Sequence, residues 1–325
     1  MGTPTSTTLP TLLALSVAIT GTLVTIGLAV VYLRRVRLDR PAIGTFNGVD
    51  IVVVFGFIVA LPLLYLVLPL TPLLVVLGLT FTSALVLGLR PLIGPGATWI
   101  VVGTVIAANV WMGRTMLGTV VGWQLFWIEN DVLVVCAAVT TANLYVQGGM
   151  RLRHVAWFGL VLAVYDAVFT FVWPVTNTLA QRFIGWPFDP SVGFRVGIYN
   201  ATIGLGDLLI YGLFVIAALK AYGPRAARGA AVIAVLCGAV VPALLPVLTD
   251  VFIDARTDVI VPAQAAFGPA AFFYYRWLLR TYGAERTMAG FLASADVDRP
   301  LPMPEPTPEP TPATAPAQPL VGSVP

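Results

Sequence analysis

Charged residues are scarce in this chain of 325 residues: Asp, Glu, Lys and Arg together make up 10% of it, whereas 58% is hydrophobic. A soluble domain carries about 25% charged residues, and a single soluble core of this size does not absorb so much apolar sequence. The shortage therefore excludes an ordinary soluble enzyme, a nucleic-acid-binding protein and a disordered chain. It predicts an all-α polytopic membrane protein.

Histidine and cysteine are also rare. The one histidine, His154, excludes a helical zinc site of the H-E-x-x-H type, which needs two histidines. The two cysteines, Cys136 and Cys237, both lie in apolar runs and imply no disulfide framework. We therefore expect neither a metal nor another cofactor.

Long apolar segments are what the chain has instead, and a spanning helix needs about 20 such residues. Nine segments qualify, at approximately 10–33, 49–69, 71–89, 97–113, 131–148, 155–175, 198–219, 229–250 and 259–279. The Trp-rich stretch 114–130 is shorter. We interpret it as an interfacial segment before the fifth span, with one continuous longer helix as the alternative.

Basic residues mark one side of the predicted membrane. If the N-terminus is outside and the spans alternate from there, 14 of the 18 Lys and Arg residues fall on the inside. Because cytoplasmic loops carry the excess of Lys and Arg, this distribution predicts nine spans with the C-terminus inside. Arginine outnumbers lysine, which indicates a GC-rich and prokaryotic genome, so we expect the plasma membrane.

The chain is predicted to form one transmembrane domain, residues 1–293. Its first five spans lie in 1–150 and its last four in 155–280. Ten of the 26 prolines lie in 300–325, where they alternate with Thr, Ala and Glu. Alternating proline removes backbone donors and favours an extended chain, so 294–325 is predicted to be a disordered cytoplasmic tail.

Two of the 15 acidic residues lie deep within predicted spans. Asp166 is about 11 residues into the sixth span, and Asp207 is about nine residues into the seventh. A charge at the bilayer centre costs about 2.5–3.5 kcal/mol, so two acids at matched depth on neighbouring helices need a reason. The other acids, among them Asp131, Asp189 and Glu285, are predicted to lie in the tail, in loops or at span ends, where water reaches them.

Two carboxyl groups that face each other in a low dielectric hold a single proton between them. The ionised member can take a proton from water, and the protonated member can donate to a carbonyl oxygen. This is the chemistry of aspartic proteases, and it uses neither a metal nor a covalent intermediate. The same pair also suits a proton-coupled transporter or channel, or a structural role in which each aspartate caps a broken helix. The pairing of the two aspartates and their depth in the membrane do not by themselves distinguish these three roles.

Two short motifs contain these acids: Tyr165-Asp166 and Gly204-Leu205-Gly206-Asp207. Glycines beside an intramembrane acid let backbone, water or substrate approach closely. Together the motifs resemble the signature of the intramembrane aspartyl proteases, the presenilin and signal peptide peptidase (GxGD) family. The stretch VYDAVFTFVWPVTNTLAQRF is similar to the sixth span of signal peptide peptidases, and GLGDLLIYGLFV to the seventh span of both branches.

The resemblance implies a presenilin-like fold in which Asp166 and Asp207 are the catalytic pair. Tyr165 is expected either to pack against or bond this pair, or only to fill the core. Gly204, Leu205 and Gly206 complete the motif as supporting residues.

The family's third motif, Pro-Ala-Leu at the start of the last span, has two candidates here. Pro262-Ala263-Gln264 departs from it at the third residue but opens the ninth predicted span, and we favour it. The alternative, Pro242-Ala243-Leu244, matches the letters but lies inside the eighth span. Because proline lacks a donor and keeps the backbone extended, an extended substrate could pair with such a segment.

The resemblance covers residues 155–280, and the first 150 residues carry no motif of the family. It implies an intramembrane aspartic endopeptidase that cleaves transmembrane segments such as remnant signal peptides. The expected partners are these peptides and membrane lipid, with no nucleic acid and no obligate partner protein. The alternatives are a proton-coupled transporter or channel that uses the same two acids, and an inactive scaffold of the same fold.

Overall fold

The computed structural model describes residues 8–38, 48–173, 182, 185–196, 199–245 and 262–297, and these are almost entirely helical. The helices are α1 (Thr8–Arg35), α2 (Gly48–Val67), α3 (Leu70–Ile93), α4 (Pro95–Thr115), α5 (Val120–Gln147), α6 (Leu152–Ala167), α7 (Leu205–Tyr222), α8 (Pro224–Ile233), α9 (Ala263–Tyr282) and α10 (Met288–Leu292). One hairpin of strands β1 (Ser191–Val196) and β2 (Tyr199–Gly204) precedes α7. The predicted helical fold class is confirmed, with this hairpin as an addition.

Seven helical stretches in the described part of the chain are long and apolar enough to cross a membrane. They match the first predicted span and the third to eighth. Helices α2 and α9 occupy the positions of the other two, 49–69 and 259–279. The chain is therefore an integral membrane protein, while the count of nine spans and the orientation stay predictions.

The interpretation of 114–130 as an interfacial segment is wrong, and the alternative of a longer helix is correct. Helix α5 runs without interruption for 28 residues from Val120. It begins where the Thr119 side chain accepts a hydrogen bond from the Gly122 N–H at 3.0 Å, which satisfies one of the unpaired donors of the first turn. Phe126 and Trp127 are fully buried, so these aromatic residues fill the core rather than anchor the chain at a membrane surface.

The predicted start of the seventh span at residue 198 is also wrong. Residues 199–204 form strand β2, which pairs antiparallel with β1 in a register that sets Ser191 opposite Gly204. The segment is rich in β-branched and aromatic residues, which favour an extended backbone. The backbone groups of β2 that face β1 are paired within the hairpin, so this segment forms regular hydrogen bonds without becoming a helix.

Side chains of α5 hold the hairpin in place. The Asn130 amide donates to the carbonyl oxygens of Asp189 and Ser191 at 3.0 and 2.9 Å, and Asp131 accepts from the Gly193 N–H at 2.8 Å. Asp189 is only 2% exposed, so the prediction that water surrounds it is wrong. Burial raises the pKa of Asp189 to about 7, although hydrogen bonds from Ser191 and nearby backbone partly oppose the shift.

Helix α7 is the central element of the fold. Its side chains are buried on all sides from Ile210 to Ala221, in contact with α1, α5 and α6, as expected for a helix that is apolar all round. Lys220 at its end is 2% exposed. The ammonium donates to the carbonyl oxygens of Val146 and Met150, at and just beyond the end of α5, where a cation is favoured by the helix dipole.

Candidate active site

Asp166 lies at the point where α6 changes its winding. The regular helix ends at Ala167 and continues as a π-helical turn, Val168–Val172. Single π-helical turns are frequent at functional sites because they redirect side chains and loosen the hydrogen-bond ladder. Asp166 is half-buried.

Asp207 lies in the first turn of α7, three residues from the end of strand β2. The expectation that it is nine residues into a span is therefore wrong, because the strand replaces the first turns of the predicted helix. Gly204 is the residue before the helix, with extended backbone, and a Cβ on it would lie 3.5 Å from the Asp207 carboxylate. A Cβ on Gly206 would meet nothing within 4 Å, so the surface at this residue, directly before the acid in sequence, is open.

Gln264 connects the two acids. Its backbone N–H donates to Asp166 Oδ2 at 3.1 Å, and its side-chain amide donates to Asp207 Oδ1 at 2.6 Å. A single residue thus brings both carboxylates, which we call the acid pair, into one site, where they interact electrostatically. The amide oxygen Oε1 of Gln264 is buried and has no hydrogen-bond partner among the described residues.

The two candidate Pro-Ala-Leu segments differ in conformation. Pro262 is buried and extended (φ −65°, ψ 117°), and α9 starts directly after it, so Gln264 lies in the first turn with an N–H that the helix cannot use. Residues 242–244 continue the helix that follows the π-helical segment of α8. They therefore lack the extended backbone that motivated both candidates.

Tyr165 packs in a row of aromatic rings. Its ring lies 4.4 Å from that of Phe169, which stacks on Trp173 at 5.7 Å between centroids. The row follows one face from the end of α6 into the π-helical turn, since the spacing is four residues. The structure thus gives Tyr165 a packing contact next to Asp166.

Tyr211 and Phe267 are neighbours of the acid pair that sequence reasoning missed. Tyr211 follows Asp207 by four residues, is fully buried, and donates to the carbonyl oxygen of Gly238 at 2.9 Å. Gly238 belongs to the π-helical segment Ala234–Val240 that continues α8. The rings of Tyr211 and Phe267 meet edge to face at 4.8 Å. The spacing of one helical turn from Asp207 and from Gln264 is the signal that could have identified both rings.

Gly268 lets α9 approach α6 closely enough to place Gln264 beside Asp166, and it faces a second glycine, Gly159, on α6. A Cβ on Gly268 would collide with the carbonyl oxygen of Gly159 and with the Ala163 side chain. A Cβ on Gly159 would reach the Gly268 Cα at 3.7 Å, which is an ordinary contact. Small residues at such crossings are typical of membrane helices, because close backbone packing is the main attraction between them.

The far ends of the two acid-bearing helices are held by consecutive residues. Glu285 accepts from the N–H groups of Leu152 and Arg153, both at 2.9 Å, at the start of α6. Arg286 donates to the carbonyl oxygens of Leu219 and Lys220 at 2.9 and 3.1 Å, near the end of α7. Both contacts satisfy helix-end groups with the opposite charge, so Glu285 is a structural cap.

The beginning of the predicted tail takes part in this arrangement. Asp296 forms a 2.9 Å ion pair with Arg286, so 294–297 belong to the described fold. The remainder of the predicted tail, from residue 298, lies outside the described residues. Within the described part of the chain, no group of three or more His, Cys, Asp or Glu residues could hold a metal ion.

Comparisons with known proteins give a distant structural likeness and no likeness in sequence. No family model matches the chain, and no curated protein sequence matches it. A solved structure of a presenilin family intramembrane aspartate protease is similar, with 18% sequence identity and a TM-score of 0.49. The match covers 83% of this chain and 100% of that chain. A likeness at this level does not assign the chain to a family or to a function.

Proposed function

We propose that this chain is an intramembrane aspartic endopeptidase that hydrolyses peptide bonds within transmembrane segments. The observation that carries the proposal is the contact of Gln264 with both acids, since it brings two carboxyl groups from different helices into one site. The open surface at Gly206 offers a route for water or a peptide. The two sequence motifs around Asp166 and Asp207 support the same conclusion.

The chemistry needs one shared proton and one water molecule. The ionised carboxylate takes a proton from water, and the water oxygen forms a bond to the carbonyl carbon of the substrate. The protonated carboxyl gives its proton to the carbonyl oxygen, which yields a tetrahedral diol. One carboxyl then gives its proton to the amide nitrogen while the other carboxylate takes a proton from a diol hydroxyl. The C–N bond breaks, an amine and a carboxylic acid are released, and the acid pair again holds one proton.

The substrate must be locally extended, because a hydrogen-bonded helix hides its carbonyl groups. The extended backbone at Pro262 lies directly beside the acid pair and lacks a donor of its own. We propose that an unwound substrate segment adds to this edge by strand pairing. Remnant signal peptides, with their N-termini inside, are the proposed substrate class, which follows from the family resemblance and the predicted orientation.

The test is cleavage of a membrane-embedded peptide by the purified full-length chain in vesicles. We expect cleavage within the apolar segment, and block by a transition-state mimic of aspartic proteases. If no cleavage is seen, or if the mimic does not block it, the proposal is contradicted. Proton-driven uptake of a solute into the same vesicles, without cleavage, would instead support the transporter alternative.

The Gln264→Leu variant separates the two bonds that Gln264 makes. It keeps the N–H that binds Asp166 and loses the amide that binds Asp207. A hydrogen bond to a charged group is worth about 1.5–3 kcal/mol, so we expect cleavage to slow roughly 10- to 100-fold. The measurement is the initial cleavage rate at saturating peptide.

The matched control is Gln124→Leu. Gln124 lies in α5, and its side chain has no hydrogen bond among the described residues. We expect its rate to stay within about twofold of the wild type, as for substitutions away from special contacts. A Gln264→Leu rate equal to that of the wild type would mean that the bond to Asp207 contributes nothing to the reaction.

A further inference from the structure

A groove unrelated to the acid pair lies between α1, α3 and α5. It encloses about 880 Å³ and is lined almost entirely by apolar side chains, among them Leu28, Val31, Leu85 and Val139. This volume is within the range of roughly 300–1,000 Å³ that is usual for ligand sites. The three helices form it at the end of α1 where the arginines follow.

Contacts between the three helices fix the shape of the groove. The Tyr32 hydroxyl of α1 donates to the Gly88 carbonyl of α3 at 2.8 Å. Gly88 in turn packs so closely on Thr140 of α5 that a Cβ there would overlap the threonine hydroxyl. The Asn143 amide of α5 donates to the Ala29 carbonyl of α1 at 3.3 Å. The groove is therefore formed before any ligand enters, which lowers the cost of binding.

The groove carries one charge. Arg35 is the charged residue among those that line it, and its side chain is exposed. The Arg35 guanidinium has no partner among the described residues, whereas the neighbouring Arg37 donates to the carbonyl oxygens of Leu33 and Val36. A cation at the end of an apolar channel is complementary to an anionic group attached to an alkyl chain.

We propose that this groove binds one anionic phospholipid, with its phosphate against Arg35 and an alkyl chain along α1, α3 and α5. Guanidinium groups bind phosphate through two parallel hydrogen bonds. Basic pockets between membrane helices are known to select anionic headgroups. Neither feature depends on the acid pair, so the site is independent of the proposed protease activity.

The experiment measures retained lipid on the purified full-length chain by native mass spectrometry. The protein is mixed with equal amounts of phosphatidylglycerol and phosphatidylcholine that have the same alkyl chains. We expect one bound phosphatidylglycerol per chain, preferred by about tenfold over phosphatidylcholine. Arg35→Gln is expected to abolish the preference, whereas Arg114→Gln, which changes an arginine outside the groove at the end of α4, is expected to preserve it.

A second measurement uses Cys136, which lines the groove. In a Cys237→Ser background, phosphatidylglycerol is expected to slow alkylation of Cys136 by a membrane-soluble reagent severalfold, and phosphatidylcholine is expected to slow it less. Equal retention of both lipids by the wild type would overturn the proposal and show a site for any alkyl chain. An unchanged preference in Arg35→Gln, or protection of Cys136 only by a substrate peptide, would also overturn it.

Discussion

The Asp166→Asn and Asp207→Asn variants are each expected to lose peptide cleavage by a factor of about 10³–10⁴, the upper range for removal of a general acid or base. Asparagine has the shape of aspartate but can neither accept a proton from water nor return it. Because one proton serves both groups, either substitution leaves the other carboxyl without its counterpart. The measurement is the cleavage rate of the membrane-embedded peptide in vesicles.

Glu129→Gln is the matched control for these variants, since Glu129 is another acid within a membrane-spanning helix. Its Oε2 accepts from the Asn109 amide at 2.6 Å, and a glutamine oxygen can keep that bond. We expect the control to retain its rate within about twofold. Thermal unfolding of all three variants establishes that they are folded. Cleavage that persists in either aspartate variant would disprove the assignment of the acid pair.

The Gly268→Ala variant is expected to lose both stability and activity. Its methyl group would occupy the space of the Gly159 carbonyl oxygen and the Ala163 side chain, and such overpacking costs about 1–3 kcal/mol. Separation of α9 from α6 would also draw Gln264 away from Asp166, and a displacement near 1 Å at a catalytic site costs about 100-fold in rate. The measurements are the unfolding temperature and the cleavage rate.

Gly159→Ala tests the same interface from its other side. Here the added methyl group meets the Gly268 Cα at an ordinary distance, so we expect near wild-type activity and an unchanged or slightly raised unfolding temperature. Two identical chemical changes at one helix crossing are thus expected to have opposite outcomes. Equal losses in both variants would mean that the crossing is not packed as described.

Most helices of this fold could be predicted from apolar runs alone, because a segment that spans a membrane must pair its backbone N–H and C=O groups within itself, as a helix does. The hairpin at 191–204 could not, since periodicity does not distinguish a short apolar strand from the start of a helix. Because of that one error, Asp207 was predicted in mid-helix, whereas it lies in the first turn of α7. The burial of Asp189 was missed because its partner Asn130 lies 59 residues away in sequence.

The acids themselves were predictable as a pair because they interrupt apolar segments, which is visible in sequence. Their link through Gln264 was not predictable, because one of the two hydrogen bonds that Gln264 makes comes from its backbone N–H, which every residue type except proline has. The roles of Tyr211, Glu285 and Arg286 depend on contacts between helices that only the folded chain brings together. Sequence thus identified the two acids as a pair, whereas the residues that support them required the structure.

The N–H that binds Asp166 would be present with any residue at position 264 except proline. The direction of this N–H is set by the path of the backbone from Pro262 into α9. A substitution at this position therefore keeps the contact with Asp166 and changes only the contact with Asp207. The departure from Leu at the third position of the motif leaves the backbone part of the interaction intact, because that part does not depend on the side chain.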